Sequence, residues 1–171
     1  TDSINKIAQC LPQLLNEGDK IVITELEHHS NYLPWLQIAK KFQFDIEIVG
    51  VNENGNINEQ DIINACDDST KFLALTHMSN VTGQIIDIKK IKENISKDIL
   101  IAVDGCQSIA HINIDVQDLD CDFYSFSSHK LYGPSGIGVM FGKEILLEKL
   151  EPPSLGGGMI NNVSLDGFTY A

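Results

Sequence analysis

The sequence contains no arginine: its 12 basic residues are all lysines, against 24 aspartates and glutamates, and the formal net charge is −12. Such an acidic chain is repelled by phosphate backbones and anionic lipid headgroups, which argues against nucleic acid or a membrane surface as a partner. Arginine is also the side chain that binds carboxylates through two parallel hydrogen bonds. A ligand that needs this contact must find the arginine outside this chain.

Long apolar runs and paired cysteines are also missing. No apolar stretch reaches the ~18 residues that a membrane-spanning helix needs, and no positively charged leader precedes an apolar run. The cysteines, which include no C-x-x-C pair, are Cys10, Cys66, Cys106 and Cys121. Neither a disulfide framework nor a metal site is indicated, and we expect each thiol to act as a small buried apolar group. A reducing cytoplasm is the expected compartment.

The chain does contain enough apolar residues for one core. With 171 residues, of which 43% are hydrophobic, a single domain over residues 1–171 is expected. The chain begins at Thr1 without a methionine and stops at Ala171 just after a polar stretch. We therefore expect it to be a fragment of a longer protein.

Strand-like and helical patterns alternate along the sequence. The short apolar, β-branched runs cover residues 20–24, 44–49, 71–76, 99–103, 122–126 and 136–141. Helical apolar spacing covers residues 2–16, 35–39, 58–65 and 88–95. This alternation is typical of an α/β fold with a doubly wound, mostly parallel sheet and helices on both faces.

Chemically capable polar residues follow several of the predicted strands. In chain order they are His28 after the first strand, Asn80 after the third, Asp104 and Gln107 after the fourth, and residues 127–130 after the fifth. In an open α/β sheet, ligands bind outside the carboxyl ends of the strands. The spacing therefore places all of these residues at one edge of the domain, where one crevice could collect them.

The most informative stretch is Ser127-Ser128-His129-Lys130, which lies between a strand-like run and a Gly/Pro-rich turn. Its lysine is either a solvated loop residue or a partly desolvated amine that can form a Schiff base. Ser127 and His129 are residue types that bind anions, and this favours the second interpretation. Together these residues predict an aldehyde cofactor that carries a phosphate.

Three further residues fit such a cofactor, and two of them have a plainer alternative. Asp104 ends a buried strand, so it either caps the next helical segment or meets a buried cation such as a protonated pyridine ring. His28 is either a loop histidine or a flat ring that covers an aromatic heterocycle or moves a proton. Thr1 stands at a helix start, where its hydroxyl and the free amides of the first turn can face a phosphate.

Several strings of the sequence carry a resemblance to a known family. They are E-H-H-S-N-Y-L-P-W, H-M-S-N-V-T-G, V-D-G-C-Q-S, D-C-D-F-Y-S-F-S-S-H-K-L-Y-G-P-S-G-I-G-V and G-G-G-M-I. Over essentially its whole length the chain resembles the large domain of class V aminotransferase-like enzymes, which have fold-type I and bind pyridoxal 5′-phosphate. Within that group it is most similar to cysteine desulfurases of the SUF type (group II), and the H-K-L-Y-G-P string with an upstream D-G-x-Q is specific.

The resemblance implies roles around the cofactor ring. Lys130 matches the Schiff-base lysine, and His28 matches the histidine that stacks on the ring; both are expected to be catalytic. Asp104 matches the aspartate at the pyridine nitrogen, and Gln107 matches the glutamine that hydrogen-bonds the ring hydroxyl. Asn80 matches an asparagine near the ring and the substrate carboxylate.

The resemblance also implies a phosphate site. Ser127, His129 and Thr1 match the phosphate-binding positions of the family. Two departures lie close by, because Ser128 stands where relatives often have glycine and Cys106 where they often have alanine. Both are small changes that the pocket should tolerate.

A larger departure is what the chain does not contain. Members of the family continue into a smaller C-terminal domain, which carries the cysteine that accepts sulfur as a persulfide and the arginine that binds the substrate carboxylate. None of the four cysteines of this chain matches that nucleophile. The resemblance therefore implies a cofactor-binding domain that has little or no turnover by itself.

The implied reaction removes sulfur from L-cysteine, leaves L-alanine and supplies iron–sulfur cluster or other sulfur-cofactor assembly. The implied partners are L-cysteine, a sulfur-acceptor protein and a second copy of the full-length protein. Two alternatives stay open. One is another class V enzyme, such as an aminotransferase, a kynureninase-like hydrolase or an epimerase, and the other is a truncated domain without catalysis.

Overall fold

The centre of the structure is a six-stranded sheet with the strand order β2-β1-β3-β4-β5-β6. Its strands are β1 (Lys20–Thr24), β2 (Asp45–Val49), β3 (Thr70–Thr76), β4 (Leu100–Asp104), β5 (Phe123–Ser127) and β6 (Gly138–Gly142). The first five are parallel, and β6 pairs antiparallel with β5. This computed structural model, which describes residues 1–170, confirms the predicted doubly wound, mostly parallel sheet.

Helices cover both faces of the sheet, as predicted. They are α1 (Asp2–Cys10), α2 (Leu33–Phe42), α3 (Glu59–Ala65), α4 (Ile88–Asn94), α5 (Ser108–His111), α6 (Val116–Leu119) and α7 (Glu144–Leu147). Alternate residues of β3 belong to two different hydrophobic cores. Phe72 packs with α1 and α2, whereas Leu73 packs with α3 and α4. Strands that are buried on both faces have nearly continuous apolar sequences, and such runs predict strands from the sequence. None of the helices in residues 1–170 has the length and apolar character to cross a bilayer.

The first helix is shorter than predicted. Apolar spacing predicted a helix over residues 2–16, but α1 ends at Cys10 and a 3-10 turn (Leu11–Gln13) follows. Pro12 explains the difference, because proline has no amide hydrogen to donate and its ring clashes with the carbonyl of the preceding turn. Leu15 is nevertheless buried, so the apolar stripe serves the core in a different backbone conformation.

A β-hairpin near the end of the chain was not predicted. It consists of β7 (Ile160–Ser164) and β8 (Gly167–Tyr170), which pair antiparallel apart from the main sheet. The Asp166-Gly167 dipeptide is a turn signal that could have revealed it. Gly167 adopts φ +145°, a backbone conformation that side-chain-bearing residues avoid.

Ser125 on β5 carries the one fully buried side-chain oxygen or nitrogen that lacks a hydrogen-bond partner within residues 1–170. We expect Ser125→Ala to raise the free energy of unfolding by about 1 kcal/mol, because it removes a buried hydroxyl that is desolvated without compensation. Urea unfolding followed by circular dichroism measures the change. Ser108→Ala is the matched control: its hydroxyl bonds the Tyr124 hydroxyl at 2.7 Å, so its loss should destabilise the fold. Equal effects of the two substitutions would contradict the prediction.

Candidate functional site

The carboxyl ends of β1, β3, β4 and β5 lie side by side, because these strands are parallel neighbours in the sheet. Asp104 at the end of β4 is in register with Thr76 of β3 and Ser125 of β5. The loops that carry the predicted residues start at these ends. The structure therefore confirms that polar residues from four separate segments share one edge of the sheet.

Cys106 lies where three of the predicted residues meet. The Asp104 carboxylate accepts a hydrogen bond from the Cys106 amide at 2.9 Å, and the Cys106 thiol is 3.8 Å from the Ser127 hydroxyl. Burial raises the pKa of this thiol; the Asp104 carboxylate adds to the rise and the Lys130 ammonium opposes it. Asp104 and Ser127 thus contact the half-buried Cys106, whose thiol is also close enough to Lys130 to feel its charge. Sequence reasoning had treated Cys106 only as a small buried group.

The carboxylate of Asp104 does not cap a helix. The helix after it, α5, begins at Ser108 and has Gln107 in the N-cap position. Asp104 is 5% exposed, and its Oδ1 accepts a hydrogen bond from the Cys106 amide. A carboxylate buried this deeply is costly unless a cation or a donor meets it. The chemistry of this site therefore fits a cationic ring nitrogen beside the Asp104 carboxylate.

A buried hydrogen-bonded group supports the turn after β4. The hydroxyl of Tyr124 lies 2.7 Å from the Ser108 hydroxyl and 3.2 Å from Nδ1 of His77. Ser108 in turn donates to the Gly105 carbonyl at 3.3 Å. Burial raises the pKa of Tyr124 and lowers the pKa of His77, so both side chains are held neutral. No spacing in the sequence indicated this group, because its members come from three separate segments.

The first turn of α1 lies near the end of β5. Thr1 occupies the N-cap position of α1, but its hydroxyl bonds the Ser30 hydroxyl at 2.7 Å and makes no capping bond. Gly138 of β6 pairs with Ser127, and a Cβ at Gly138 would lie 3.2 Å from the hydroxyl of Ser3. The free amides at the start of α1 are therefore on the same side of the sheet edge as Ser127. Amides at a helix start favour an anion.

The predicted lysine lies in a 3-10 turn (Ser128–Leu131) directly after β5. Lys130 is half-buried, and it forms no ion pair with any carboxylate of residues 1–170. The neighbouring His129 is exposed, and Gln107 is half-buried at the start of α5, which packs against this turn. Lys130 thus has no carboxylate partner among residues 1–170.

His28 and Asn80 come together in a second part of the edge. They line an open cleft of about 450 Å³ between the loops after β1 and β3. The Nδ1 atom of His28 accepts a hydrogen bond from the Ser30 amide at 3.1 Å. A neutral ring with Nδ1 as acceptor carries its proton on Nε2, which leaves Nε2–H as the free donor of His28.

Fold and edge together define a class of protein: a doubly wound α/β domain whose ligand edge carries a buried aspartate, a hydroxyl and an unpaired lysine on consecutive loops. More specifically, the chain belongs to the aminotransferase class-V family, whose model matches residues 1–171.

Individual proteins and solved structures are also similar to this chain. A probable cysteine desulfurase from Halalkalibacterium halodurans is 44% identical over 172 residues, which cover 99% of this chain and 42% of that protein. The crystal structure of the cysteine desulfurase CsdA (S-sulfonic acid) from Escherichia coli matches with a TM-score of 0.91 and 41% identity, over 99% of this chain and 43% of CsdA. A structure of SspA in complex with cysteine matches with a TM-score of 0.79 and 27% identity, over 92% of this chain and 46% of SspA. The chain thus spans about two fifths of the length of these curated relatives.

Proposed function

We propose that this chain is the pyridoxal-phosphate-binding domain of a cysteine desulfurase, which converts L-cysteine to L-alanine and passes the sulfur to an enzyme cysteine. The observation that carries the proposal is the buried carboxylate of Asp104 at the end of β4, beside the end of β5, after which the turn that bears Lys130 begins. The cysteine desulfurase relatives support the choice of reaction, and the structure of SspA with cysteine supports the substrate.

The residues around Cys106 would hold the cofactor ring. Pyridoxal phosphate, when bound, supplies an aldehyde and a protonated ring that withdraws electrons from the substrate. Lys130 would hold the cofactor by its aldehyde and would move a proton at the substrate α-carbon. Asp104 would favour a protonated ring nitrogen, and Gln107 would hydrogen-bond the ring hydroxyl. His28 would lie against the ring, with Nε2–H as its donor.

The remaining residues of the proposed site bind charged groups. Thr1, Ser127 and His129 hold the phosphate, assisted by the free amides at the start of α1. Asn80 would lie near the ring and the substrate carboxylate, and the cleft that it shares with His28 supports this role. Since this chain has no arginine, a guanidinium that binds the substrate carboxylate comes from another part of the protein or from a partner.

The wider biological role is part of the same proposal. The full-length protein would act in the cytoplasm as a homodimer, and a sulfur-acceptor protein would carry its sulfur to iron–sulfur cluster or other sulfur-cofactor assembly. The cysteine that first takes the sulfur would lie outside these 171 residues. The domain by itself would bind the cofactor with little or no turnover.

A chimera tests the reaction. In it, this chain replaces the matching residues of the Halalkalibacterium halodurans relative, so that the rest of that protein supplies the missing parts. We expect the chimera to form L-alanine from L-cysteine, measured by amino-acid analysis, because the proposed site supplies the cofactor half of catalysis. The same chimera with Lys130→Ala is the control and should form none.

Two outcomes would contradict the proposal. One is a folded, cofactor-loaded chimera that forms no alanine from L-cysteine but transaminates an amino acid or hydrolyses L-kynurenine, which would assign another class V reaction. The other is equal alanine formation with and without Lys130.

A further inference from the structure

The carboxylate of Glu27, the residue before His28, is enclosed at the end of the sheet, and the side chain is 7% exposed. Its Oε1 accepts hydrogen bonds from the Thr24 hydroxyl at 2.8 Å and from the Thr76 amide at 2.9 Å. Its Oε2 accepts one from the Asn31 side-chain amide at 2.6 Å. Thr24 ends β1, Thr76 ends β3, and Asn31 lies in the 3-10 turn after His28. One carboxylate therefore joins three segments around His28.

The indole of Trp35 fixes the direction of the hydrogen bond between Asn31 and Glu27. The indole Nε1 of the fully buried Trp35 on α2 donates to Oδ1 of Asn31 at 3.1 Å. An indole nitrogen can only donate, so Asn31 must present its oxygen to Trp35 and its amide hydrogens to Glu27. Oε2 of Glu27 must consequently be an acceptor. Each carboxyl oxygen of Glu27 therefore faces a group that can only donate, the Thr76 amide at Oε1 and the Asn31 side-chain amide at Oε2.

The turn held in this way carries the His28 ring. Three residues, 28–30, separate the anchored Glu27 from the anchored Asn31. The backbone amide of Asn31 donates to the His28 carbonyl at 2.7 Å. The ring accepts from the Ser30 amide within the same turn. Because both ends of this short segment are held by buried contacts, the position of the ring depends on the Glu27 carboxylate.

We propose that Glu27 is a positioning residue for His28: its carboxylate ties the turn over residues 28–31 to the ends of β1 and β3 and so determines where the His28 ring lies. This inference rests on the proposed function only for what the ring faces, since the positioning is a property of the cofactor-free chain.

The charge of Glu27 is sensitive to pH. Burial raises its pKa to about 8, the bonds from Thr76, Asn31 and Thr24 act to lower it, and the Asp104 carboxylate at the end of β4 adds to the rise. The groups that reach it from β1, β3, the turn and α2 are a hydroxyl, an amide, an asparagine and an indole, none of which titrates near neutral pH. Asp104 and the adjacent His28 are thus the titratable neighbours. Signals of the His28 ring should therefore follow the titration of Glu27 near pH 8.

Exchanging the hydrogen-bond donor and acceptor between positions 27 and 31 tests the inference. Glu27→Gln places its amide nitrogen against a donor in either orientation, the Asn31 side-chain amide or the Thr76 amide. Glu27→Gln combined with Asn31→Asp restores a donor opposite an acceptor and leaves Trp35 paired. Nitrogen-15 NMR of the ring in the cofactor-free chain measures the His28 tautomer and its pH dependence. Dissociation of pyridoxal phosphate is followed by equilibrium dialysis.

We expect Glu27→Gln to replace the Nε2–H signature of His28 by a mixture of tautomers, to abolish the pH step near pH 8 and to weaken cofactor binding at least about tenfold. The double variant should restore the tautomer and the binding but not the pH step, because the carboxylate has moved to position 31. Ile91→Val, a buried substitution on the other face of the sheet, is the control for simple loss of stability and should leave all three readouts unchanged.

The inference is overturned if the ring signals of His28 stay unchanged in Glu27→Gln, or if the double variant fails to restore them. If Glu27→Gln does not fold, two variants decide the question by the same signals: the double variant, and Thr24→Val, which removes one donor to Glu27 together with the acceptor of the Leu26 amide. If the wild-type chain takes up no pyridoxal phosphate, the proposed function fails, and the ring signals still decide the role of Glu27.

Discussion

Lys130→Ala is expected to abolish covalent retention of pyridoxal phosphate by the chain. Alanine has no amine to bond the aldehyde, and the remaining contacts of the proposed site can hold the cofactor only reversibly. Because Lys130 is half-buried and forms no ion pair within residues 1–170, the free energy of unfolding should change by no more than about 0.5 kcal/mol. Borohydride reduction followed by mass spectrometry of peptides measures the bonded cofactor, and urea unfolding measures stability.

Lys71→Ala is the matched control for this experiment. Lys71 is also half-buried, but it lies near the start of β3, at the opposite edge of the sheet from the proposed site. The Lys71→Ala variant should retain the cofactor at Lys130 in full. Equal trapping of the cofactor by the wild-type chain and by Lys130→Ala would refute the assignment of Lys130. Trapping in the wild-type chain at any other of its 12 lysines would refute it as well.

The largest loss of stability is expected from Gly105→Ala. A Cβ at this position would lie far inside contact distance of the Tyr124 ring and hydroxyl. The ring is buried and is held by its hydrogen bonds to Ser108 and His77, so it cannot move aside without breaking them. Overpacking and the loss of two buried hydrogen bonds together should lower the free energy of unfolding by about 3 kcal/mol. Urea unfolding measures the loss.

Two comparisons separate the clash from a general effect of replacing glycine. Gly156→Ala is the control, because no heavy atom lies within 4 Å of a Cβ there and the change should cost little. In the Gly105→Ala background, Tyr124→Leu should cost less than it does in the wild-type chain, since the smaller side chain relieves the overlap. Independent, additive effects of the two substitutions would show that the clash is not the cause.

The strands could be predicted from sequence because their signal is local. Short apolar runs predicted all six strands of the main sheet. The signal is strongest in β1 and β3, which are buried along nearly their whole length and are apolar almost without interruption. Prediction failed where a local signal was outweighed or overlooked. Pro12 ended α1 early although the apolar stripe continues to Leu15, and the Asp166-Gly167 turn between β7 and β8 was passed over.

The candidate site was predictable only in part. Strand ends indicated where polar residues would gather, and the resemblance to a family supplied their expected roles. Glu27 and Tyr124 escaped prediction because a buried carboxylate or phenol is recognised by its partners. Those partners, such as Thr76 for Glu27 and His77 for Tyr124, are 49 and 47 residues away along the chain.

The sequence by itself determined the alternation of strands and helices, the excess of acidic residues and the motif around Lys130. These are properties of short segments, because they depend on residue type and spacing alone. Only the tertiary structure decided that Asp104 and Ser127 contact Cys106 and that Glu27 anchors the turn of His28. The physical reason is that burial and hydrogen bonding depend on which strand ends become neighbours. That is settled by the packing of the whole sheet and not by any one stretch of it.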